Sequence, residues 1–175
     1  RTKLQHNWAT AVETAGIITK TSLKSSQGPD EWLEFFKIVS SLFAIKEKQP
    51  VLNEHSTNSM EELMLECEKL AKKLKVIDIL KALRVSARQI ENGKFNGDYY
   101  IININAIEKV VNIRSYKKKH FSIASQDYLE IEKTIDTKNN AVVLVSSGPI
   151  KSLKKAYPSY FLDTSEFISA LEKII

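Results

Sequence analysis

The 175-residue chain is 43% hydrophobic and 27% charged, with five Gly and four Pro. That composition is globular and long enough for a core in one domain or two small ones, and it argues against a disordered or collagen-like chain. The formal charge of +5 leans towards polyanionic partners such as nucleotides or RNA, although lysine-rich surface solvation gives the same balance. The first predicted element is a helix from Lys3 to about Lys20. Its buried stripe is Leu4, Trp8, Ala11, Ala15 and Ile18, which recur at helical spacing. At 100° per residue, Thr2, His6, Ala9 and Glu13 share the adjoining face, with His6 and Glu13 two turns apart.

The loop Ser25-Ser-Gln-Gly-Pro-Asp30 leads into a second helix, from about Asp30 to Lys48. Trp32, Phe35, Phe36, Val39, Leu42 and Phe43 give it a heavy aromatic face, which reads as core. Gln49-Pro50 ends it. After a polar connector, a long helical stretch runs from Ser59 to Ile90 with a break near Val76. Ser59 and Glu62 make a capping box at its start, and Leu63, Leu70, Leu74, Ile77, Leu80 and Leu83 keep helical period.

The character changes at Gly93-Lys-Phe-Asn-Gly97. Strands are expected at 98–105 and 109–116, joined by a turn around Ala106-Ile107. A helix follows over 122–138, then an apolar strand over 141–147 that stops at Gly148-Pro149. A short helix over Ile150–Lys155 comes next. Tyr157–Phe161 reads as extended, and Asp163-Thr164-Ser165 as the cap of a last helix through Ile174. The expected fold class is α+β, with a helical part at 1–92 and a small β-β-α-β-α module at 93–175.

Few residues announce chemistry by themselves. Cys67 is the lone cysteine, so no internal disulfide forms. It sits beside Leu63 and Leu70 at helical spacing and reads as a buried structural thiol, which suits a reducing, cytoplasmic setting. One Cys and three scattered His (His6, His55 and His120) do not make a zinc site of usual spacing, so no metal ligands and no zinc are expected. No apolar run approaches the roughly 20 residues that span a bilayer, so no membrane partner is expected. The His6–Glu13 face beside Trp8 fits either a nucleotide-holding wall or an ordinary solvated helix face. Arg114, Lys117, Lys118 and Lys119, with Tyr116 among them, fit either contact with an RNA backbone or a solvated hairpin edge guarded by lysines.

The segment Arg1-Thr-Lys-Leu-Gln-His-Asn-Trp-Ala9 resembles the helix that follows the acidic strand in RelA/SpoT synthetases, where Glu-x-Gln-x-Arg-Thr leads into a helix carrying His and a Trp-Ala or Ala-Glu pair. Arg1, Thr2, His6, Trp8 and Ala9 match, and the continuation Thr10-Ala-Val-Glu13 is similar to the short, toxin-like branch. The resemblance implies a pyrophosphokinase that moves pyrophosphate from ATP to the ribose 3′-hydroxyl of GDP or GTP, as in alarmone synthesis, or to the 3′ end of tRNA, with Mg²⁺ bridging phosphates. It implies that Arg1 and His6 lie near the nucleotide, and that Gln5 and Glu13 orient acceptor groups. The magnesium-binding Asp, the basic loop over ATP, the base-stacking Tyr and the acidic residue of that pattern would all precede Arg1, so 1–92 is expected to be the C-terminal part of the synthetase domain and no catalytic residue is assigned within this chain. Thr10 stands where the long enzymes carry Glu.

Tyr157-Pro-Ser-Tyr160-Phe resembles the tail of fused toxin–antitoxin members of the CapRel type. That resemblance implies a regulatory, antitoxin-like module in which Tyr157 and Tyr160 fold back toward the ATP site, with a phage protein as trigger. The competing reading is a non-catalytic regulatory or interaction module that binds its partner through the β-rich half. A helical scaffold without chemistry is a third.

Overall fold

The computed structural model describes residues 2–19, 28–105, 107–136, 140–156 and 158–175. Its elements in chain order are α1 (Lys3–Thr19), α2 (Asp30–Lys46), α3 (Met60–Lys73), α4 (Val76–Glu91), β1 (Tyr99–Asn105), β2 (Val110–Tyr116), α5 (Phe121–Thr134), β3 (Asn140–Ser146), α6 (Ser147–Ala156) and α7 (Tyr160–Glu172). Short 3-10 turns lie at Asn53–His55 and Lys118–His120. The chain is thus α+β, with helices and one antiparallel sheet. By compactness it divides into Arg1–Ile77 with Leu162–Ile175, and Asp78–Phe161. The change of character at 92/93 marks where sheet-forming sequence begins. Compactness breaks the chain elsewhere, inside α4 and again inside α7, so that most of α7 belongs with the first helices.

The first unit is organised by the aromatic face of α2. Trp32 stacks on Phe36 with ring centres 6.1 Å apart, and Phe35 meets Phe36 edge-on at 5.1 Å. Phe167 of α7 closes against Phe36 at 6.4 Å and against Phe43 at 6.0 Å. All five rings are buried. At about 1.5–3 kcal/mol for each large apolar side chain taken from water, this cluster is a large share of the unit's core. α2 ends as Gln49-Pro50 led one to expect. Lys48 takes a left-handed φ of 55°, and Gln49 N–H donates back to Ala44 O at 2.8 Å.

α3 begins with the capping box at Ser59. Glu62 N–H donates to Ser59 Oγ at 3.1 Å, and Ser59 N–H donates to Glu62 Oε2 at 2.9 Å. Leu63, Cys67 and Leu70 face inward, and a Lys73–Glu31 ion pair joins α3 to α2. The helical stretch breaks at Lys75, which has a φ of 52°, one residue before α4 starts.

In α1 the apolar stripe is only part of what is buried. Ala11 and Ala15 are covered, Leu4 and Trp8 are half-buried, and the Ile18 side chain lies outside the described residues, as do Lys20 and 25–27. Asn7, Thr10 and Thr14 are buried too. The threonines satisfy themselves by bonding back one turn. Thr10 Oγ1 donates to His6 O at 3.2 Å, and Thr14 Oγ1 to Thr10 O at 2.8 Å. Periodicity counts such residues as polar and misses that they can go inside.

The second unit holds the sheet, in the order β2-β1-β3 with both pairings antiparallel. β1 is central, and Tyr100, Ile101, Ile102 and Ile104 are buried along it. The Tyr100 hydroxyl is satisfied locally, accepting from Gly97 N–H at 3.0 Å and donating to Gly97 O at 2.9 Å. α5 lies against β1 and β3. Its Phe121 ring sits 4.8 Å from Tyr99, and its Asp127 accepts from the Tyr116 hydroxyl at 2.7 Å. α4 contributes Asp78, Lys81, Ala82 and Val85 beside Ile104, Val110 and Val111. Ala106, Thr137 and Lys138, expected in a turn and at a helix end, lie outside the described residues.

Candidate functional site

Of the α1 residues that the sequence singled out, His6 meets the C-terminal helix, together with its neighbours Lys3 and Asn7. Lys3, His6 and Asn7 stand at i, i+3 and i+4, which places them on one side of α1. Asp163 and Glu166, three residues apart on α7, face them. His6 Nε2 lies 2.9 Å from Asp163 Oδ2, Asn7 Nδ2 donates to Glu166 Oε2 at 3.1 Å, and Lys3 Nζ is 2.8 Å from Glu166 Oε1. Asp163 is only 5% exposed, so its carboxylate depends on such donors. Hydrogen bonding from Lys3 holds the Glu166 carboxyl below the usual glutamate value against the opposing desolvation, with a lesser contribution from Asn7. Asn7 Oδ1 is buried and has no hydrogen-bond partner among the described residues.

The remaining residues of this face have varied settings. Thr2 and Gln5 make a reciprocal cap: Gln5 N–H donates to Thr2 Oγ1 and Thr2 N–H to Gln5 Oε1, both at 3.3 Å. Gln5 thus terminates the helix as well as facing a cleft of about 280 Å³, where Trp8, Phe43 and Glu47 also lie. Trp8 fastens α1 to α2, its Nε1–H donating to Phe36 O at 3.0 Å and its ring meeting Phe36 edge-on at 6.3 Å. Glu13 is half-buried further along α1. Arg1 lies outside the described residues.

No protein-family model and no curated protein matches the chain. The RelA/SpoT resemblance therefore rests on the Arg1–Glu13 pattern and on the Tyr157–Phe161 segment.

That second segment departs from its expected local form. Tyr157 lies outside the described residues. Pro158 and Ser159 form a turn, and Tyr160 opens α7 rather than sitting in an extended strand. Tyr160 is buried. With the helix starting there, Asp163 falls inside the first turn instead of capping it, and turns its carboxylate to His6. A tertiary donor has replaced the local backbone N–H that the capping pattern suggested.

The basic run is dispersed over the end of the hairpin. Arg114 is exposed in the middle of β2, and Lys117, Lys118 and Lys119 are exposed beyond it. Lys118 N–H donates to Asp98 Oδ2 at 2.9 Å, which pins the turn at its start. Burial, followed by the hydrogen bond to Asp127, raises the Tyr116 hydroxyl above its ordinary value, while Arg114 pulls it back.

Two further features bear on chemistry. Sequence reasoning passed over His55, which is buried between Ser41 and Glu34. Ser41 Oγ lies 2.8 Å from Nδ1, and Glu34 Oε1 lies 3.4 Å from Nε2. Ser41 is itself 1% exposed, so this Ser-His-Glu line is closed to substrate and ties the 53–55 turn to α2. Cys67 is buried, and desolvation pushes its thiol up to about 12. That suits an inert structural cysteine. Among the described residues, no three His, Cys, Asp or Glu side chains come together to hold a metal ion, and no helix is long and apolar enough to cross a membrane.

Proposed function

We propose that this chain serves 3′-pyrophosphoryl transfer of the RelA/SpoT kind, from ATP to GDP, GTP or the 3′ end of tRNA, and that α7 is a built-in block on the nucleotide face of α1. The observation that carries this reading is the meeting of Asp163 and Glu166 with His6, Asn7 and Lys3. Ionised carboxylates only accept hydrogen bonds, as phosphate oxygens do. Two acidic side chains on α7 therefore engage the donors that an anionic ligand would use. The position near the start of α1 adds a favourable field for negative charge. The Arg1–Glu13 pattern supports the choice of family.

Positioning and charge neutralisation are the main needs of phosphoryl transfer. In this reading His6, Lys3 and Asn7 orient an anionic group, and Gln5 and Glu13 serve acceptor groups. Magnesium and ATP belong to the reaction through the resemblance. The described residues do not themselves make a metal site, and no step is assigned through the ion.

The test is to incubate the full protein with ATP and, separately, GDP, GTP and tRNA, alongside Asp163→Ala and Glu166→Ala. Transfer to one acceptor, faster in the variants, is the expected result. Transfer to none by wild type and variants alike overturns the pyrophosphokinase reading. Equal transfer by all of them overturns only the block.

A further inference from the structure

The sheet has an open edge at β2. In the order β2-β1-β3, β2 pairs only with β1 among the described residues. The hydrogen-bond phase identifies its free groups. Ser147 N–H donates to Asp98 O at 2.9 Å, while Asp98 N–H donates to Tyr116 O at 2.9 Å; the carbonyl of the 98–99 peptide thus points to β3 and its N–H, that of Tyr99, to β2. Antiparallel strands alternate direction, so Tyr100, Ile102 and Ile104 bond to β3, while Tyr99, Ile101, Asn103 and Asn105 bond to β2. The β2 partners of the latter set are Tyr116, Arg114, Asn112 and Val110. Val111, Ile113 and Ser115 therefore turn their N–H and C=O groups outward. Among the described residues nothing bonds to them.

Edge strands are usually protected by proline, a bulge, short length or charged side chains, lysine above all. Over Val110–Tyr116 there is no proline. The seven residues pair one-to-one with β1, so no bulge interrupts the strand. Its one charged residue is Arg114. A cleft of about 480 Å³ is lined by Val111–Arg114 of β2 and by Ile101 and Asn103 of β1, with Phe95 and Ile131 as further apolar walls. Its charged lining residues are Lys94 and Arg114, both basic. Lys117, Lys118 and Lys119 extend the positive charge beyond the strand, while the neighbouring Asp98 and Asp127 are engaged by Lys118 N–H and the Tyr116 hydroxyl. β3, at the other edge, carries no charged residue.

We propose that β2 is a docking edge that takes an extended acidic segment of a partner protein as an added strand. The outward N–H and C=O groups of Val111, Ile113 and Ser115 would bond its backbone, and Lys94, Arg114 and Lys117 its acidic side chains. A strand placed there has apolar walls for alternate side chains, which a phosphate backbone does not use. The proposal is independent of the chemistry assigned to the helical unit.

The test uses the full chain and a synthetic peptide as long as β2, with alternating Val and Glu and blocked ends. Amide exchange at Val111, Ile113 and Ser115 should slow on its addition. Methylating alternate peptide nitrogens should weaken binding by about tenfold or more, because ladder bonds are lost. A Lys-for-Glu peptide should bind more weakly, and Arg114→Glu with Lys117→Glu should weaken the acidic peptide about tenfold. Absence of slowed exchange overturns the proposal. So does equal binding of the methylated peptide, which would mean charge alone. Tighter binding of a single-stranded RNA that displaces the peptide from these residues would make this a nucleic-acid surface instead.

Discussion

The helical unit and the sheet-bearing unit treat their polar groups in opposite ways. In the first, groups distant in sequence are paired: His6 with Asp163, Asn7 and Lys3 with Glu166, and Ser41 with His55. In the second, the central strand is satisfied on both sides while β2 keeps one side of its backbone open. Paired polar groups inside a unit specify how its own segments meet. Unpaired backbone along an edge specifies nothing until another strand arrives. The helical unit thus carries its specificity internally, and the sheet unit presents its own outward.

Four perturbations would break or sharpen that contrast. Phe167→Ala removes the fully buried ring by which α7 closes on Phe36 and Phe43. It should cost about 3–5 kcal/mol in a denaturant titration, as other large-to-alanine core changes do. A loss near zero would mean that α7 is held by its polar contacts alone. Asp163→Ala should cost less, about 1–3 kcal/mol, because its partner His6 remains partly open to water. Lys48→Gly should stabilise by up to about 1 kcal/mol, since only the left-handed φ at the end of α2 is relieved. Destabilisation on thermal melting would instead show that the Lys48 side chain matters.

The smallest effect concerns Glu166, whose pairs are solvent-screened. Its pKa is lowered in the folded state, so the unfolded chain binds the proton more readily. Its contribution is complete above the ordinary glutamate value and fades as pH falls through the lowered one. The melting temperature of Glu166→Gln should lie slightly below wild type at about pH 7, and the gap should close towards about pH 3. A gap that persists in acid would assign the effect to packing.

Local signals in the sequence carried far. Ser59 and Glu62 marked the start of α3, Gln49-Pro50 the end of α2, and the aromatic stripe of α2 the core. The three strands fall within one residue of where alternation and turns placed them. Such features depend on neighbours a few positions apart, which periodicity detects. The α1–α7 site was legible only in halves. His6 stood out on its helix, but its partner is 157 residues away, and no spacing rule links the two. Asp163 resembled a cap because Asp-Thr-Ser caps many helices; a distant imidazole decided otherwise. Buried Asn7, Thr10 and Thr14 escaped notice because burial of a polar residue depends on the bonds it finds. The exposed lysines near Tyr116 were visible, whereas the open side of β2 required the strand order.

The discontinuity of the helical unit also sets an order of events during synthesis. Residues 78–161 lie between α3 and the part of α7 that returns to the first unit. A ribosome must therefore release the whole sheet-bearing segment before Phe167 can reach Phe36. Until then α2 presents aromatic surface without its last cover, which gives a nascent chain a window for chaperone capture or aggregation. The sheet, formed from contiguous residues, faces no such delay.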